Sequence, residues 1–327
     1  MAPYRRKTRL AVASAETIAA AAACLRAGGL VAIPTETVYG RAADATSDMA
    51  VAGIYAAKAR PAFNPLIAHV LNIETAREHA RFGRQAELLA RAFWPGPLTL
   101  VLPVASTCRV SLLARAGLDT VALRSPSHET ARAIIEAAGV PLAAPSANRS
   151  GRVSPTTAAH VLADLDGRID WIVAAGPSLH GLESTIVGCL GAGPTLLRPG
   201  AITREAIEAA LGAPLASTTP IEATPNAPGR LESHYAPRAD LRLDARDAAA
   251  DEAALDFAGA LAPSAAHPRL DLSPSGDLVE AASNLFSHLR ALDAADAPVI
   301  AVAPIPQRGL GAAINDRLRR AAAPRGK

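Results

Sequence analysis

Half of the 327 residues are hydrophobic but only 3% are aromatic, so the core must be built from Ala, Leu, Val and Ile, and the length suits two domains. The formal net charge of +3 permits an anionic partner but falls short of the dense basic stripe of a dedicated nucleic-acid binder. Cys24, Cys108 and Cys189 stand far apart with no Cys-x-x-Cys pair, which argues against a disulfide framework and against a structural zinc site.

In chain order, Arg5-Arg6-Lys7-Thr8-Arg9 reads as a short basic arm. The Ala-rich run after it is broken by Glu16 and stopped by Gly28-Gly29, which marks an amphipathic helix rather than a signal peptide; a cytoplasmic protein is expected. Helical spacing over 15–27, 47–58, 74–82, 84–93, 127–138, 156–165 and 203–211 alternates with apolar runs at 30–33, 66–70, 98–102, 120–123, 141–143, 171–174, 185–188 and 195–197. That alternation predicts an α/β domain over residues 10–211. Residues 212–237 carry Pro214, Pro220, Pro225, Pro228 and Pro237 without apolar periodicity and read as an extended linker. A smaller unit over 238–327 is expected to hold strands at 241–243 and 299–302 and helices near 249–260, 278–293 and 309–322. Arg317, Arg319 and Arg320 fit a solvated helix end complementing the dipole. Ile314 stands where a dinucleotide-binding turn opening at Gly309-Leu310-Gly311 needs its third glycine.

The polar clusters fall in the loops. Pro34-Thr35-Glu36-Thr37-Val38-Tyr39-Gly40 follows the first strand and suits a small polar pocket, or else a capped turn with a surface Glu. Lys58-x-Arg60 runs into a proline-fixed loop with Asn64, before a strand ending at His69; it is either a dipole-satisfying helix end or a fork for phosphate oxygens. Pro145-Ser146-Ala147-Asn148 and Ser154 combine small residues with a helix start, where backbone amides receive phosphate, or simply form a turn and an N-cap. Arg124 and Arg198 each end a strand, beside Ser184-Thr185; they are either solvent-facing punctuation or, paired at similar positions, a polar rim around one concave face. No Ser-His-Asp order, metal-ligand spacing or Walker-type loop competes with a phosphate-bearing ligand.

On these residues the chain resembles the YrdC-type threonylcarbamoyl-AMP synthases in their two-domain form. Pro-Thr-x-Thr-Val-Tyr-Gly, Lys-x-Arg-Pro-x-x-Asn-Pro-Leu, Pro-Ser-Ala-Asn-x-Ser-Gly, Glu-Ser-Thr-Ile-Val and Leu-Arg-Pro-Gly occur in family order. His234-Tyr235-Ala236-Pro237 and the stretch from Asn284-Leu285-Phe286 to Arg317-Leu318-Arg319-Arg320 resemble the C-terminal portion. The resemblance implies an open twisted α/β sheet with a concave ligand-binding face and a smaller Rossmann-like α/β domain. It also implies a nucleotidyltransferase that joins L-threonine, bicarbonate and ATP into threonylcarbamoyl-adenylate and pyrophosphate. The product would pass to a downstream tRNA threonylcarbamoyl-transfer complex for N6-threonylcarbamoyladenosine modification.

By matching positions, Thr37, His69, Arg124 and Ser184 would line the threonine pocket. Arg60, Asn64, Thr120, Ser146, Ser154 and Arg198 would hold ATP, with Lys58 and Asn148 beside the phosphates and His234 and Tyr235 closing over the nucleotide. Lys58 and Arg60 carry the catalytic charge in this reading, and Mg²⁺ accompanies ATP without dedicated protein ligands. Direct tRNA binding has little support, since stacking aromatics are scarce. The related carbamoyl-transfer proteins of hydrogenase maturation carry zinc-binding cysteine pairs, which this chain lacks. The chain departs from the family pattern at Arg41-Ala42, at Gly188 and in the linker stretch Pro228-Gly229-Arg230-Leu231-Glu232-Ser233.

Overall fold

The computed structural model describes residues 6–58, 64–191, 193–216 and 234–324. Its first unit contains β1 (Arg9–Val12), α1 (Ala15–Arg26), β2 (Val31–Ile33), β3 (Gly40–Asp44), α2 (Asp48–Lys58), β4 (Ile67–His69), α3 (Ile73–Arg77), α4 (Arg84–Phe93) and β5 (Leu98–Pro103). It continues with β6 (Thr120–Arg124), α5 (Glu129–Ala138), β7 (Leu142–Ala143), α6 (Ala158–Leu165), β8 (Trp171–Ala174), β9 (Thr185–Gly188), β10 (Thr195–Arg198) and α7 (Arg204–Leu211). Among the described residues these strands form one mixed sheet in the order β1-β8-β2-β3-β7-β4-β6-β5-β9-β10.

The two-residue side-chain period of the strands decides where the site lies. Ala68 of β4 with its flanking Leu66 and Val70, Leu98, Leu100 and Leu102 of β5, and Val121 and Leu123 of β6 all turn to one face and join the main core with α2, α4, α6 and α7. On the opposite face, α1 and α5 cover only the β8-β2-β3-β7 half, through Ala21, Leu25, Ile134 and Ile135 packed on Val31, Ile33, Leu142 and Val173. Ser14 caps α1 by accepting from the Thr17 amide, and left-handed Gly139 ends α5, so both covering helices have sequence-coded limits. Over the β4-β6-β5-β9 half no such helix pair packs among the described residues; Ile67, Ala122, Val101 and Ile186 form a small apolar floor there.

The second unit contains β11 (Asp240–Arg242), β12 (Ala253–Asp256), β13 (Arg269–Asp271), α8 (Leu278–Asp293), β14 (Val299–Val302) and α9 (Leu310–Ala322). Its strands are all parallel, in the order β11-β14-β12-β13. Its core, centred on Leu285, Phe286 and Leu289, also takes in Val38, Val153 and Leu182 of the first unit and Tyr235 of the linker. Arg290 of α8 ties the units further, pairing with Asp164 at 2.6 Å and donating to the Val153 carbonyl. The second unit therefore sits over the loops that rim the bare half of the sheet.

Several elements differ from the sequence expectation. The helix expected near 249–260 is instead β12, whose Ala253, Ala254 and Leu255 are fully buried between β14 and β13. Alanine's helix preference is weaker than the pairing available to a central strand, and the Asp256 carboxylate holds the following turn by accepting from the Phe257 and Leu261 amides. The basic arm gives way at Arg9 to a strand paired in parallel with β8, with Arg6 bonded to Asp170 and the Arg9 guanidinium 5.3 Å from the Trp171 ring centroid. The 74–82 helix closes early at Arg77, because Ala80 bridges Val104 and the Arg81 amide donates to the Pro103 carbonyl. Strands β3 and β13 were not foreseen; Gly40-Arg41-Ala42-Ala43-Asp44 carries neither β-branched nor aromatic residues. Of the linker, Ala216 still bridges Thr195 and residues from His234 are packed, while 217–233 lie outside the described residues.

Candidate active site

The bare half of the sheet opens into a pocket with about 560 Å³ of empty space, part of it continuous with solvent. Parallel pairing of β4 with β6 sets Ile67 beside Ala122 and His69 beside Arg124. His69 and Arg124 therefore share the carboxyl-terminal end of adjacent strands, where open α/β sheets place ligands. Asn64 and Thr120 do not line this pocket: Asn64 is buried, and at about 3.3 Å per residue Thr120 lies roughly 13 Å from Arg124 along β6, on the same face. Ile67, of the small apolar cluster it forms with Val101, Ala122 and Ile186, lines the pocket beside His69 and Arg124.

At the Arg124 end, Thr35 builds the turn: its Oγ1 accepts from the Thr37 amide and donates to the Val38 carbonyl. This presents the Thr37 hydroxyl to Arg124 Nη1 at 2.9 Å. Arg124 Nη2 lies 2.7 Å from Glu36 Oε1, with the two side chains only 4% and 5% exposed. Burial alone would raise the Glu36 pKa, but the Arg124 guanidinium outweighs it and holds the carboxyl at about 2. Glu36 is thus no surface residue; it fixes Arg124 from behind. Burial, reinforced by the Arg124 charge, pushes His69 down to about 3, so its ring is neutral. Its buried Nδ1 has no hydrogen-bond partner among the described residues, the kind of wall atom that a ligand satisfies.

The opposite wall comes from β9 and β10. Ser184 Oγ lies 2.7 Å from Thr99 Oγ1, and Arg198 donates through Nη2 to the Ser184 carbonyl at 2.9 Å and to its hydroxyl at 3.2 Å. Gly200 makes this approach possible, since a Cβ there would collide with the Glu183 carbonyl and the Thr185 amide. Gly200→Ala is expected to destabilise the protein by about 1–3 kcal/mol, read as a lower urea midpoint, because strand backbone cannot yield as a flexible side chain can.

Ser146 lines the pocket and bridges Gly40 across the loop. Ser154 is buried and donates to Glu183 Oε1 at 2.6 Å. Asn148 is buried beneath the turn, its amide donating to the Arg149 and Arg152 carbonyls. Thr37, His69, Arg124, Ser146, Ser184 and Arg198 thus converge on the pocket, together with His234 and Tyr235. Asn148 and Ser154 support it from beneath. Lys58 is the last residue of α2; its side chain, and Arg60 entirely, lie outside the described residues.

Sequence reasoning left Glu36 open between a pocket carboxylate and a surface residue, and missed Glu183 and Arg317. Arg317 is fully buried rather than solvated, and its Nε donates to Glu183 Oε2 at 2.8 Å. Its position was legible: Ala313, Ile314 and Ala321 lie three or four residues away on the buried face of α9, so a charge at 317 needs a partner.

Acid should loosen this site first. The unfolded chain protonates His69 near 6.5 while the folded protein holds it at about 3, so between these values the unfolded state binds the extra proton and stability falls as pH falls. His160, held down to about 4 by burial and the Arg290 charge, acts in the same direction. Glu36 adds its loss only as pH drops from 4.5 toward about 2. Thermal denaturation from about pH 7.5 to 4.5 should show a declining Tm, and His69→Gln should make that decline shallower. An unaltered slope in the variant would exclude His69 as the group responsible.

The family model described as "Telomere recombination" matches residues 23–200, and that of the threonylcarbamoyl-AMP synthase C-terminal domain matches 202–323. The chain is 41% identical over 318 residues to the threonylcarbamoyl-AMP synthase of Pyrococcus abyssi, covering 92% of each. It is 48% identical over 233 residues to that of Bacillus subtilis, covering 69% of this chain and 66% of that one. Among solved structures, P. abyssi Sua5 complexed with L-threonine has a TM-score of 0.85 at 37% identity, over 97% of each chain. Both units are matched, and the pocket is walled by the motifs of the first: the chain belongs to the threonylcarbamoyl-AMP synthase family, in its two-domain form.

Proposed function

We propose that the protein synthesises L-threonylcarbamoyladenylate from L-threonine, bicarbonate and ATP, with release of pyrophosphate. The observation that carries this reading is the Arg124 end of the pocket. A guanidinium fixed by Glu36, a neutral His69 and the hydroxyls of Thr37 and Ser184 together suit a small zwitterion bearing its own hydroxyl, in a family with a member crystallised with L-threonine.

The threonine amine attacks CO₂ derived from bicarbonate, forming an N–C bond and losing a proton. A carbamate oxygen then attacks the α-phosphorus of ATP, and the bond to the pyrophosphate oxygen breaks. No covalent enzyme intermediate is needed, so catalysis rests on positioning and on charge. Arg198 at the pocket wall, with Lys58 and Arg60, meets the negative charge that develops on the phosphates. In this reading Ser146 contacts the nucleotide at the pocket wall and Asn64 and Thr120 bind it further along the sheet, Asn148 and Ser154 shape the phosphate turn from beneath, and His234 and Tyr235 close over it. Glu183 lines the pocket and Glu36 stands behind Arg124, each engaged by an arginine. In this reading Mg²⁺ enters as part of the MgATP substrate.

The unstable product passes to a tRNA threonylcarbamoyl-transfer complex, which places the work in the cytoplasm. Among the described residues no helix is long and apolar enough to cross a membrane. Incubating the purified protein with ATP, bicarbonate and single amino acids, with pyrophosphate as readout, tests the reading. Strict threonine dependence is expected; equal release with any amino acid, or with none, would sink it.

A further inference from the structure

Arg317 touches three parts of the pocket at once. Its Nε donates to Glu183 Oε2 at 2.8 Å, its Nη2 donates to the Pro199 carbonyl at 2.9 Å, and its guanidinium carbon lies 5.2 Å from the Tyr235 ring centroid. Each contact leads to a pocket group: Glu183 also holds the Ser154 hydroxyl, Pro199 follows Arg198, and Tyr235 lines the pocket itself. Nη1 completes the fork on Asp316 Oδ2 at 2.6 Å, and the side chain has no exposed surface.

Tyr235 needs such holding. It adopts a left-handed backbone conformation, φ +63°, which a bulky residue adopts only when its surroundings impose it. Its ring stacks on Phe286 of α8 with centroids 5.6 Å apart, and the edge of His234 meets it at 4.3 Å. The flanking backbone is pinned on both sides, with the His234 amide donating to the Arg320 carbonyl and the Ala236 amide to the Gly151 carbonyl. The second unit thus supplies Phe286, Arg317 and the Arg320 carbonyl to the linker, and Arg317 also bonds the pocket wall of the first unit.

We propose that Arg317 is a positioning residue through which the second unit takes part in catalysis, holding Tyr235 and Glu183 in one fixed arrangement at the pocket. A guanidinium suits the task because its edge donates to carboxylate and carbonyl while its face lies against the ring; an ammonium cannot do both. A buried ion pair that merely joined the two units would act on stability and leave the kinetic constants of the folded enzyme alone.

The test rests on the synthase reading and uses the full-length protein, with threonine-dependent pyrophosphate release as readout and circular dichroism to establish folding. Arg317→Lys is expected to lower kcat/KM for ATP by about tenfold in the folded protein, and Tyr235→Leu by at least as much. Because both act on one arrangement, the double variant should fall within about twofold of the weaker single one. Losses that multiply, or an Arg317→Lys enzyme indistinguishable from wild type, would overturn the role. Should Arg317→Lys not fold, Tyr235→Phe against Tyr235→Leu decides: a roughly tenfold smaller loss with Phe supports the role of the ring face, and equal losses overturn it. Wild-type protein that releases no pyrophosphate with threonine would overturn the synthase reading itself, an outcome distinct from active wild type with unaffected variants.

Discussion

Arg124→Ala is expected to raise the KM for threonine by about a hundredfold or more and to destabilise the fold by about 3–5 kcal/mol. The two losses share one cause. Glu36 is ionised at its buried position because Arg124 lies 2.7 Å away; without the guanidinium, burial acts alone and drives its pKa upward. An uncompensated buried carboxylate either stays charged at high cost or takes up a proton, and both weaken the folded state. Urea denaturation together with steady-state kinetics measures the two effects. The double variant Glu36→Gln/Arg124→Met separates them: it should regain much of the stability, since the stranded charge is gone, yet stay as impaired toward threonine as Arg124→Ala. A folded Arg124→Ala enzyme with wild-type KM for threonine would remove Arg124 from the substrate site.

Arg60→Ala should act on a different constant. If the Lys58-x-Arg60 pair stabilises charge on the phosphates as the carbamate attacks, removing the guanidinium costs about 2–4 kcal/mol at the transition state, roughly 30- to 900-fold in kcat/KM. Arg60→Lys should recover only part of the loss, because an ammonium retains the charge but not the bidentate fork. Single-turnover formation of the adenylate is the cleanest readout, since it excludes product release. Near-normal adenylate formation by Arg60→Ala would count decisively against the assignment.

Much of the fold was legible because its strands are locally strong. The β8 run Trp171-Ile172-Val173-Ala174 and the β9 run Thr185-Ile186-Val187-Gly188 are bounded by turn residues and occur as read. Helix α8 matches its expected limits because Asp277 caps it and its apolar spacing is regular. Legibility failed where local preference and tertiary context pull apart. Ala253-Ala254-Leu255 has helical composition but fills a central strand, and Gly40-Arg41-Ala42-Ala43-Asp44 has little strand character yet pairs with β2 on one side and β7 on the other. Neither outcome can be seen without the neighbouring strand, because backbone pairing depends on it and not on the side chains alone.

The site divides in the same way. Sequence by itself determined which residue types were available and where: small residues at 144–147, hydroxyls at Thr37 and Ser184, cations at Arg124 and Arg198, each at a loop or strand end. These follow from turn chemistry and period-2 alternation, which are local. Only the tertiary structure decided which charges are neutralised and by what. Glu36 turns inward to Arg124, and Arg317 crosses from the second unit to Glu183, bringing together residues 134 apart in the chain. Ion pairing depends on distance and burial in space, neither of which is encoded in spacing along the chain, so the local reading left Glu36 between pocket and surface and took Arg317 for a solvated helix end, while tertiary packing placed both behind the active-site wall.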